Sequence, residues 1–434
     1  MKKQNLFWGT FILTTSSLFS RIIGFFLRIF MSRTFVEEQI GLYQLIFPIY
    51  ALCFSFSSAG IELALSRCVA KEISSGHKKR AQFFLYISLI ISVTLSCLIA
   101  AIIIPNAVFL SINFLGDLRC EQLLTVVVYA LPFASIHSCI CGYYLGTRYA
   151  NVFAYSQLIE QIIRVGSIFL LCKLLYSDII YAVYGIVISE ILSSIFCICY
   201  YLYHESLQKQ CPDKFQIVPI TTELLTLATP ITMNRLLTNI LQGIESISIP
   251  LALQSHGYSN SEALSSFGVL TGMALPCILF PSAITNSIAT FMLPTVAELQ
   301  SSHNNLRLKK LVQKTCFICI SLGSISCLLI FLSSNFIGTL IFHSSIVTSY
   351  LKVLCWICPF LYTNSTLTSI INGLGKTSVT FWINCVCISL RIASITLLIP
   401  TIGIEGYLFG LLFSQLISFA LQLLYILKRL KRQQ

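Results

Sequence analysis

The sequence predicts an all-α polytopic membrane protein with twelve transmembrane helices arranged in two six-helix lobes. Three observations predict this fold class: an apolar composition, a regular series of long apolar segments, and loops of alternating charge. The chain has 434 residues, of which 56% are hydrophobic and 10% charged, and its mean hydropathy is +0.84. Soluble proteins carry about 25% charged residues, so the composition excludes an ordinary soluble domain.

Apolar stretches long enough to cross a bilayer, about 20 residues as a helix, occur twelve times along the chain. The first follows Lys2 and Lys3 but contains two arginines and lacks a clear cleavage site, so we interpret it as a membrane helix and not as a signal peptide. We expect spans near residues 6–30, 41–66, 82–104, 121–145, 153–173, 179–203, 221–250, 265–293, 312–335, 349–372, 378–399 and 404–427.

The loops after even-numbered spans are basic, as at 67–81, 294–311 and the C-terminal tail, whereas those after odd-numbered spans are poor in Lys and Arg. Cytoplasmic loops of membrane proteins collect Lys and Arg. We therefore expect a multi-pass protein of the bacterial cell membrane with both termini in the cytoplasm. The same bias accounts for the net charge of +12, so we expect no nucleic-acid partner.

The two halves of the chain repeat one another. Residues 164–171 (RVGSIFLL) resemble 391–398 (RIASITLL), and 185–193 (GIVISEILS) resemble 410–418 (GLLFSQLIS). Because each half holds an even number of spans, both have the same orientation, as in transporters whose repeats are related by an axis along the membrane normal. We expect an N-terminal lobe at 1–203, a cytoplasmic linker at 204–222 and a C-terminal lobe at 223–434, related by this pseudo-two-fold repeat.

Arginines lie at similar depth within four of the predicted spans. Arg21, Arg164, Arg235 and Arg391 are each about 17–23 Å from the cytoplasmic end of their helix, at about 1.5 Å per residue. A charge at such depth costs roughly 2.5–3.5 kcal/mol on insertion scales, and guanidinium groups suit phosphates because they donate paired hydrogen bonds. We expect these four, with Arg28 nearer the outer surface, to line a cavity for a diphosphate group.

Acidic residues in the spans are candidate charge partners or carriers of a coupling proton. Glu160 lies one helical turn before Arg164, so an i,i+4 ion pair explains Arg164 as well as substrate binding does. The other intramembrane acids are Glu62, Glu190 and Glu245. His137, the one histidine in a predicted span, is interpreted as a packing or hydrogen-bonding residue.

No nucleotide-binding or catalytic motif is present, so we expect a protein that is not an enzyme and has no cofactor. The C-x-x-C pairs at 316–319 and 355–358 lie within apolar segments. Cysteine behaves there as a small buried hydrophobe, and we expect neither a metal site nor a disulfide framework.

Several segments resemble the stage V sporulation protein B family of the multidrug/oligosaccharidyl-lipid/polysaccharide exporter superfamily. They are residues 41–50 (GLYQLIFPIY), the arginine-containing segment 20–28, and the segments 272–276 (GMALP) and 372–376 (NGLGK). The resemblance implies a two-lobed, V-shaped exporter that works by alternating access. By the same resemblance, Arg21 and Arg28 meet a substrate diphosphate, and Arg235 and Glu245 match functional positions of the seventh helix.

We therefore expect a flippase that moves an undecaprenyl-diphosphate-linked precursor of the cell wall or spore cortex to the outer leaflet. Its expected partners are this lipid-linked sugar diphosphate, membrane lipids and enzymes of cell-wall synthesis. Two alternatives remain open: a multidrug or organic-cation antiporter of the same superfamily, and a non-transporting membrane scaffold. An arginine-lined cavity disfavours the first, and the scaffold predicts that the mid-depth arginines are replaceable.

Overall fold

The computed structural model describes residues 6–175, 178–205, 217–301 and 305–432. Helices account for nearly all of these residues, and the described ranges contain no β-strand. The helices are α1 (Leu6–Thr34), α2 (Glu37–Phe54), α3 (Gly60–Ser74), α4 (Lys78–Ile103), α5 (Ala107–Leu110), α6 (Cys120–Val128), α7 (Leu131–Gly146), α8 (Ala150–Leu174), α9 (Ile180–Glu205), α10 (Ile217–His256), α11 (Asn260–Gly268), α12 (Leu275–Leu279), α13 (Ser282–Ser301), α14 (Asn305–Asn335), α15 (Ser345–Leu354), α16 (Cys358–Gly373), α17 (Thr377–Leu397), α18 (Ile399–Ile402) and α19 (Ile404–Arg432).

The predicted all-α membrane fold is confirmed. Within the described ranges, ten helical segments are long and apolar enough to cross a membrane. The helices α6 and α7, bent by 41°, meet the same criterion together and give eleven if the pair is one span. The predicted fifth span is the 25-residue helix α8. Its polar residues, Glu160 and Arg164 among them, lower its hydropathy. Length and apolarity alone therefore do not identify α8 as a membrane span. The chain is a multi-pass membrane protein.

Residue contacts divide the chain into two compact units. Unit 1 comprises Met1–Leu27 and Leu45–Gly243, and unit 2 comprises Arg28–Gln44 and Ile244–Gln434. The helices α1, α2 and α10 therefore each contribute residues to both units. The predicted lobes at 1–203 and 223–434 stay a prediction, and residues 206–216 of the predicted linker lie outside the described residues.

The two units contain matching helix crossings. Helices α7 and α16 are both 16 residues long, begin with proline in the first turn and end at glycine, 227 residues apart in sequence. A Cβ at Gly146 would lie 2.6 Å from the Ser66 carbonyl oxygen, and one at Gly373 would lie 2.8 Å from that of Leu293. Both glycines thus allow a close crossing, of α7 on α3 in unit 1 and of α16 on α13 in unit 2.

Helix α10 has 40 residues, about 60 Å at 1.5 Å per residue, which exceeds the roughly 30 Å hydrocarbon core of a bilayer. In unit 1 it exposes three threonines whose hydroxyls donate to the carbonyl four residues earlier. These bonds are Thr222 to Val218 (2.8 Å), Thr226 to Thr222 (2.7 Å) and Thr229 to Leu225 (2.7 Å). The exposed face of α10 therefore satisfies its own hydroxyl groups.

Candidate functional site

In unit 1, Arg164 of α8 is held between two carboxylates. Its Nη2 contacts Glu160 of the same helix and lies 3.5 Å from Oε1 of Glu190 on α9. Its Nε donates to Oγ of Ser189 at 3.2 Å. Only 19% of the Arg164 side chain is exposed, so burial and pairing account for this charge at mid-helix depth.

His137 of α7 extends the same cluster. Its Nδ1 lies 3.7 Å from Oε2 of Glu190 and 3.9 Å from Oε2 of Glu160. Oε2 of Glu190 is buried and has no hydrogen-bond partner among the described residues. One imidazole nitrogen therefore faces two carboxylates, and one of their oxygens lacks a donor.

A cavity of about 290 Å³ opens beside this cluster, within unit 1. Glu62 of α3 also lines it, and its Oε2 accepts a hydrogen bond from Oγ of Ser138 at 3.0 Å. The cavity is thus acidic. Its lining residues are Tyr50, Phe54, Glu62, Ala134, His137, Ser138, Cys141, Phe153, Ser156, Gln157, Glu160 and Glu190.

Unit 2 contains a simpler ion pair. Nη1 of Arg391 on α17 lies 3.2 Å from Oε1 of Glu245 on α10, and the Tyr407 hydroxyl of α19 donates to the same oxygen at 2.8 Å. Glu245 is buried. One cation and one anion neutralise each other here, so this group of side chains carries no net charge.

A second pair in unit 2 occupies the positions that His137 and Glu190 hold in unit 1. Nδ2 of Asn364 on α16 donates to Gln415 on α19, at 3.0 Å to its carbonyl oxygen and 2.9 Å to its Oε1. The segments PFASIHS and PFLYTNS align His137 with Asn364, and GIVISEILS and GLLFSQLIS align Glu190 with Gln415. The interpretation of His137 as a packing or hydrogen-bonding residue did not use this alignment, which the sequence already contains.

The remaining predicted arginines differ in exposure. Arg28 is half-buried in unit 2 and its Nη1 lies 3.3 Å and 3.4 Å from the carbonyl oxygens of Thr271 and Gly272, within the π-helical segment Val269–Ala274. Arg21 and Arg235, both in unit 1, are exposed. Exposure of a guanidinium to hydrocarbon is costly, so these two positions favour water or a polar ligand around the side chain. The substrate-binding role of the five arginines stays a prediction.

Among the residues that the structure describes, two groups of side chains have the spacing of metal ligands. They are His137 with Glu160 and Glu190, and His137 with Cys141 and Cys197, the ligand atoms of each group lying within 4.8 Å of one another. In the first group, Arg164 already contacts both carboxylates that a metal ion would need as ligands. We therefore assign no metal to this cluster.

Comparisons with known proteins concern the family and the fold of the chain. Residues 6–300 match the family model described as polysaccharide biosynthesis protein. The chain is 24% identical to stage V sporulation protein B of Bacillus subtilis (strain 168) over 384 residues, covering 86% of this chain and 74% of that protein. It is 22% identical to lipid II flippase MurJ of the same organism over 336 residues, covering 72% and 61%.

Among solved structures, an inward-facing conformation of a multidrug resistance MATE family transporter of the MOP superfamily matches with a TM-score of 0.75. The identity is 15%, and the match covers 96% of this chain and 95% of that one. At this identity the likeness concerns the fold, and the predicted resemblance to the sporulation protein family is confirmed by the family model and the relatives. The chain belongs to the polysaccharide biosynthesis protein family and has the fold of the exporter superfamily that includes flippases.

Proposed function

We propose that this protein is an alternating-access flippase that carries an undecaprenyl-diphosphate-linked cell-wall precursor from the cytoplasmic to the outer leaflet. One observation carries the proposal: Arg21 and Arg235 are exposed cations within long apolar helices of unit 1. Because both side chains are exposed, an anionic ligand can reach their guanidinium groups. The similarity to a protein named as a lipid II flippase supports the choice of substrate class.

The five predicted arginines then fall into two groups. Carboxylates neutralise Arg164 and Arg391, and backbone carbonyls accept from Arg28. A diphosphate carries several acceptor oxygens, and a guanidinium fork can donate two parallel hydrogen bonds to it. We assign substrate binding to Arg21 and Arg235 and a structural role to the other three.

Membrane energetics favour this direction of transport. An interior-negative potential contributes about 2.3 kcal/mol per elementary charge for each 100 mV. An anionic head group moving outward gains this energy unless a cation accompanies it. The cytoplasmic location of both termini belongs to the same proposal, and cysteine labelling from each side of the membrane would test it.

The direct test measures the leaflet distribution of a fluorescent lipid-linked sugar diphosphate in vesicles that contain the purified full-length protein. We expect protein-dependent movement, and we expect Arg21→Ala and Arg235→Ala each to slow it at least tenfold. A lost hydrogen bond to a charged group corresponds to roughly 1.5–3 kcal/mol, and 1.4 kcal/mol is about tenfold.

Lys310→Ala is the matched control, because it also removes one exposed positive charge but lies on α14 in the predicted basic loop. It should transport at the wild-type rate. Equal movement with and without protein would refute the flippase. Wild-type rates in both arginine variants would refute the assigned binding residues, whereas an absence of transport in the wild type would favour the scaffold.

The acidic cavity of unit 1 is the observation that favours the rival organic-cation antiporter. At about 290 Å³ it lies just below the roughly 300–1,000 Å³ typical of small-molecule pockets, so it suits a small cation better than a drug. Uptake of a lipophilic cationic dye into the same vesicles separates the two functions. Dye transport that depends on Glu62 or Glu190, with no movement of the lipid, would establish the antiporter instead.

A further inference from the structure

We infer that the buried His137–Glu190 pair of unit 1 is a site that binds one proton reversibly. The pair does not include Arg21 or Arg235, which are the residues assigned to the lipid-linked substrate. Proton binding there can be measured directly, so this inference stands or falls independently of the proposed lipid transport.

The charges of the cluster point to a bound cation. Glu160 and Glu190 contribute two negative charges, and Arg164, which contacts both, contributes one positive charge. With His137 neutral, the cluster carries one uncompensated negative charge. An unpaired buried charge is costly, so the cluster is most stable when it gains one positive charge.

The geometry identifies where a proton would bind. Nδ1 of His137 lies 3.7 Å from Glu190 Oε2 and 3.9 Å from Glu160 Oε2. Once protonated, Nδ1 becomes a donor that faces both carboxylates. A modest closure of the 3.7 Å separation would give Glu190 Oε2 the donor that it lacks among the described residues.

The cavity gives the proton a route to the site. His137 and Glu190 both line it, together with hydroxyl and amide groups. A cavity of about 290 Å³ exceeds the roughly 30 Å³ that one water occupies in the liquid. Water can therefore reach the pair and exchange a proton with it.

Other titratable or charged groups face the site from each neighbouring helix. Glu62 on α3 lines the cavity, accepts a hydrogen bond from Ser138 and lies within electrostatic range of Arg235 on α10. The remaining groups are Tyr50 on α2, Cys141 on α7, Glu160 and Arg164 on α8, and Cys197 on α9. Because the tyrosine and the thiols are neutral in their ordinary forms, they leave the surplus negative charge in place.

Unit 2 provides the internal contrast. At the matching positions it has Asn364 and Gln415, which hydrogen-bond to each other through neutral amides. These amides do not take up a proton near neutral pH. The fold therefore packs a pair of similar shape without a titratable group, so packing alone does not require histidine and glutamate in unit 1.

A proton fits this site better than a metal ion or sodium. Arg164 already contacts both carboxylates that a metal would need, and sodium has little affinity for imidazole nitrogen compared with oxygen ligands. Histidine, by contrast, changes its charge between about pH 5 and 8. An imidazole beside two carboxylates that already contact an arginine therefore suits a proton better than a metal ion.

The experiment uses full-length protein labelled with ¹⁵N-histidine in lipid nanodiscs, in chelator-treated buffer. The chain has six histidines, and His137→Asn assigns the ring signal of interest by its disappearance. We expect this signal to titrate between pH 5 and 8. In Glu190→Gln we expect the proton affinity of His137 to fall at least about tenfold, because a charge at this distance shifts affinity by one unit or more.

Glu405→Gln, which removes an exposed carboxylate of unit 2, is the control and should leave the titration unchanged. Each test variant introduces one of the two amides that unit 2 has at the matching position, and a monodisperse elution profile verifies that it folds. A His137 ring that stays neutral down to pH 5, or an unchanged titration in Glu190→Gln, would overturn the inference. So would a stoichiometric response of that signal to Zn²⁺ or Na⁺ at constant pH.

Discussion

Units 1 and 2 build their helices in the same way but differ in the charges they bury. In both, a 16-residue helix crosses its neighbour at a terminal glycine. Unit 1 then places His137, Glu160, Arg164 and Glu190 together, whereas unit 2 neutralises Arg391 with a single carboxylate. The shared backbone therefore does not dictate the electrostatics.

This difference separates structural charges from functional ones. A buried ion pair that balances itself is weak evidence for either stability or function, and the Arg391–Glu245 pair fits that description. The cluster in unit 1 has one more acid than it has permanent cations, and it adjoins a cavity. A hydrogen-bonded amide pair, as in unit 2, would avoid this surplus of negative charge. Ligand or proton binding therefore explains the charged residues of unit 1 better than packing does.

Removing one arginine from each unit should show the largest contrast. Arg391→Leu leaves Glu245 buried with only the Tyr407 hydroxyl, so we expect a loss of about 3–5 kcal/mol in the free energy of unfolding. In Arg164→Leu, a protonated His137 can replace the lost charge. We therefore expect that loss to be smaller at pH 6 than at pH 8, as measured by denaturant unfolding in mixed micelles.

Wild-type stability is the reference at each pH, and the Arg391 variant is the control for the pH dependence. A loss of unfolding free energy below about 1 kcal/mol in Arg391→Leu would show that Arg391 does not neutralise Glu245 as described. A loss in Arg164→Leu that is equal at both pH values would remove the distinction between the units.

Substituting the crossing glycines should show what the units share. In Gly146→Ala and Gly373→Ala the new Cβ meets a backbone carbonyl at 2.6 Å and 2.8 Å, so the helices must separate. We expect each variant to lose about 1–3 kcal/mol of unfolding free energy. Gly166→Ala, whose Cβ meets nothing within 4 Å, is the control and should be neutral or slightly stabilising. A large loss of unfolding free energy in only one of the two variants would contradict the inference that both units use the same close helix crossing.

A pair of serines should give the smallest contrast. Ser138 donates to the Glu62 carboxylate at 3.0 Å, whereas Ser365, its counterpart in unit 2, donates to the Tyr362 carbonyl of its own helix at 2.9 Å. We expect Ser138→Ala to cost about 1.5 kcal/mol and Ser365→Ala to remain within about 0.5 kcal/mol of wild type. Equal effects in thermal unfolding would mean that Glu62 does not depend on Ser138.

The sequence predicted the helices well because hydropathy and helix length are local properties. It also predicted that Glu160 could pair with Arg164, since an i,i+4 spacing places both on one helix face. The contact of Arg164 with Glu190 depends on how α8 and α9 pack. The partners Arg391 and Glu245 lie on helices far apart in sequence, so no local pattern could identify them.

Arg28 illustrates a second limit. Its carbonyl acceptors lie in a π-helical segment, Val269–Ala274. A change in the hydrogen-bonding pattern of a helix barely alters its hydropathy, so the sequence indicated a charge that needed a partner without showing that the backbone supplies one. His137 differs, because comparison of the two repeats would have revealed its neutral counterpart Asn364.

The threonines of α10 have a consequence for the medium that this helix can face. Thr222, Thr226 and Thr229 are exposed, yet each hydroxyl already donates to its own helix. A surface of this kind loses little when acyl chains replace water against it, because no hydroxyl hydrogen is left without an acceptor. The hydroxyl groups of this stretch of α10 therefore lose little hydrogen bonding when the helix moves from water to lipid. This property suits a helix that meets water in one stage of a transport cycle and lipid in another.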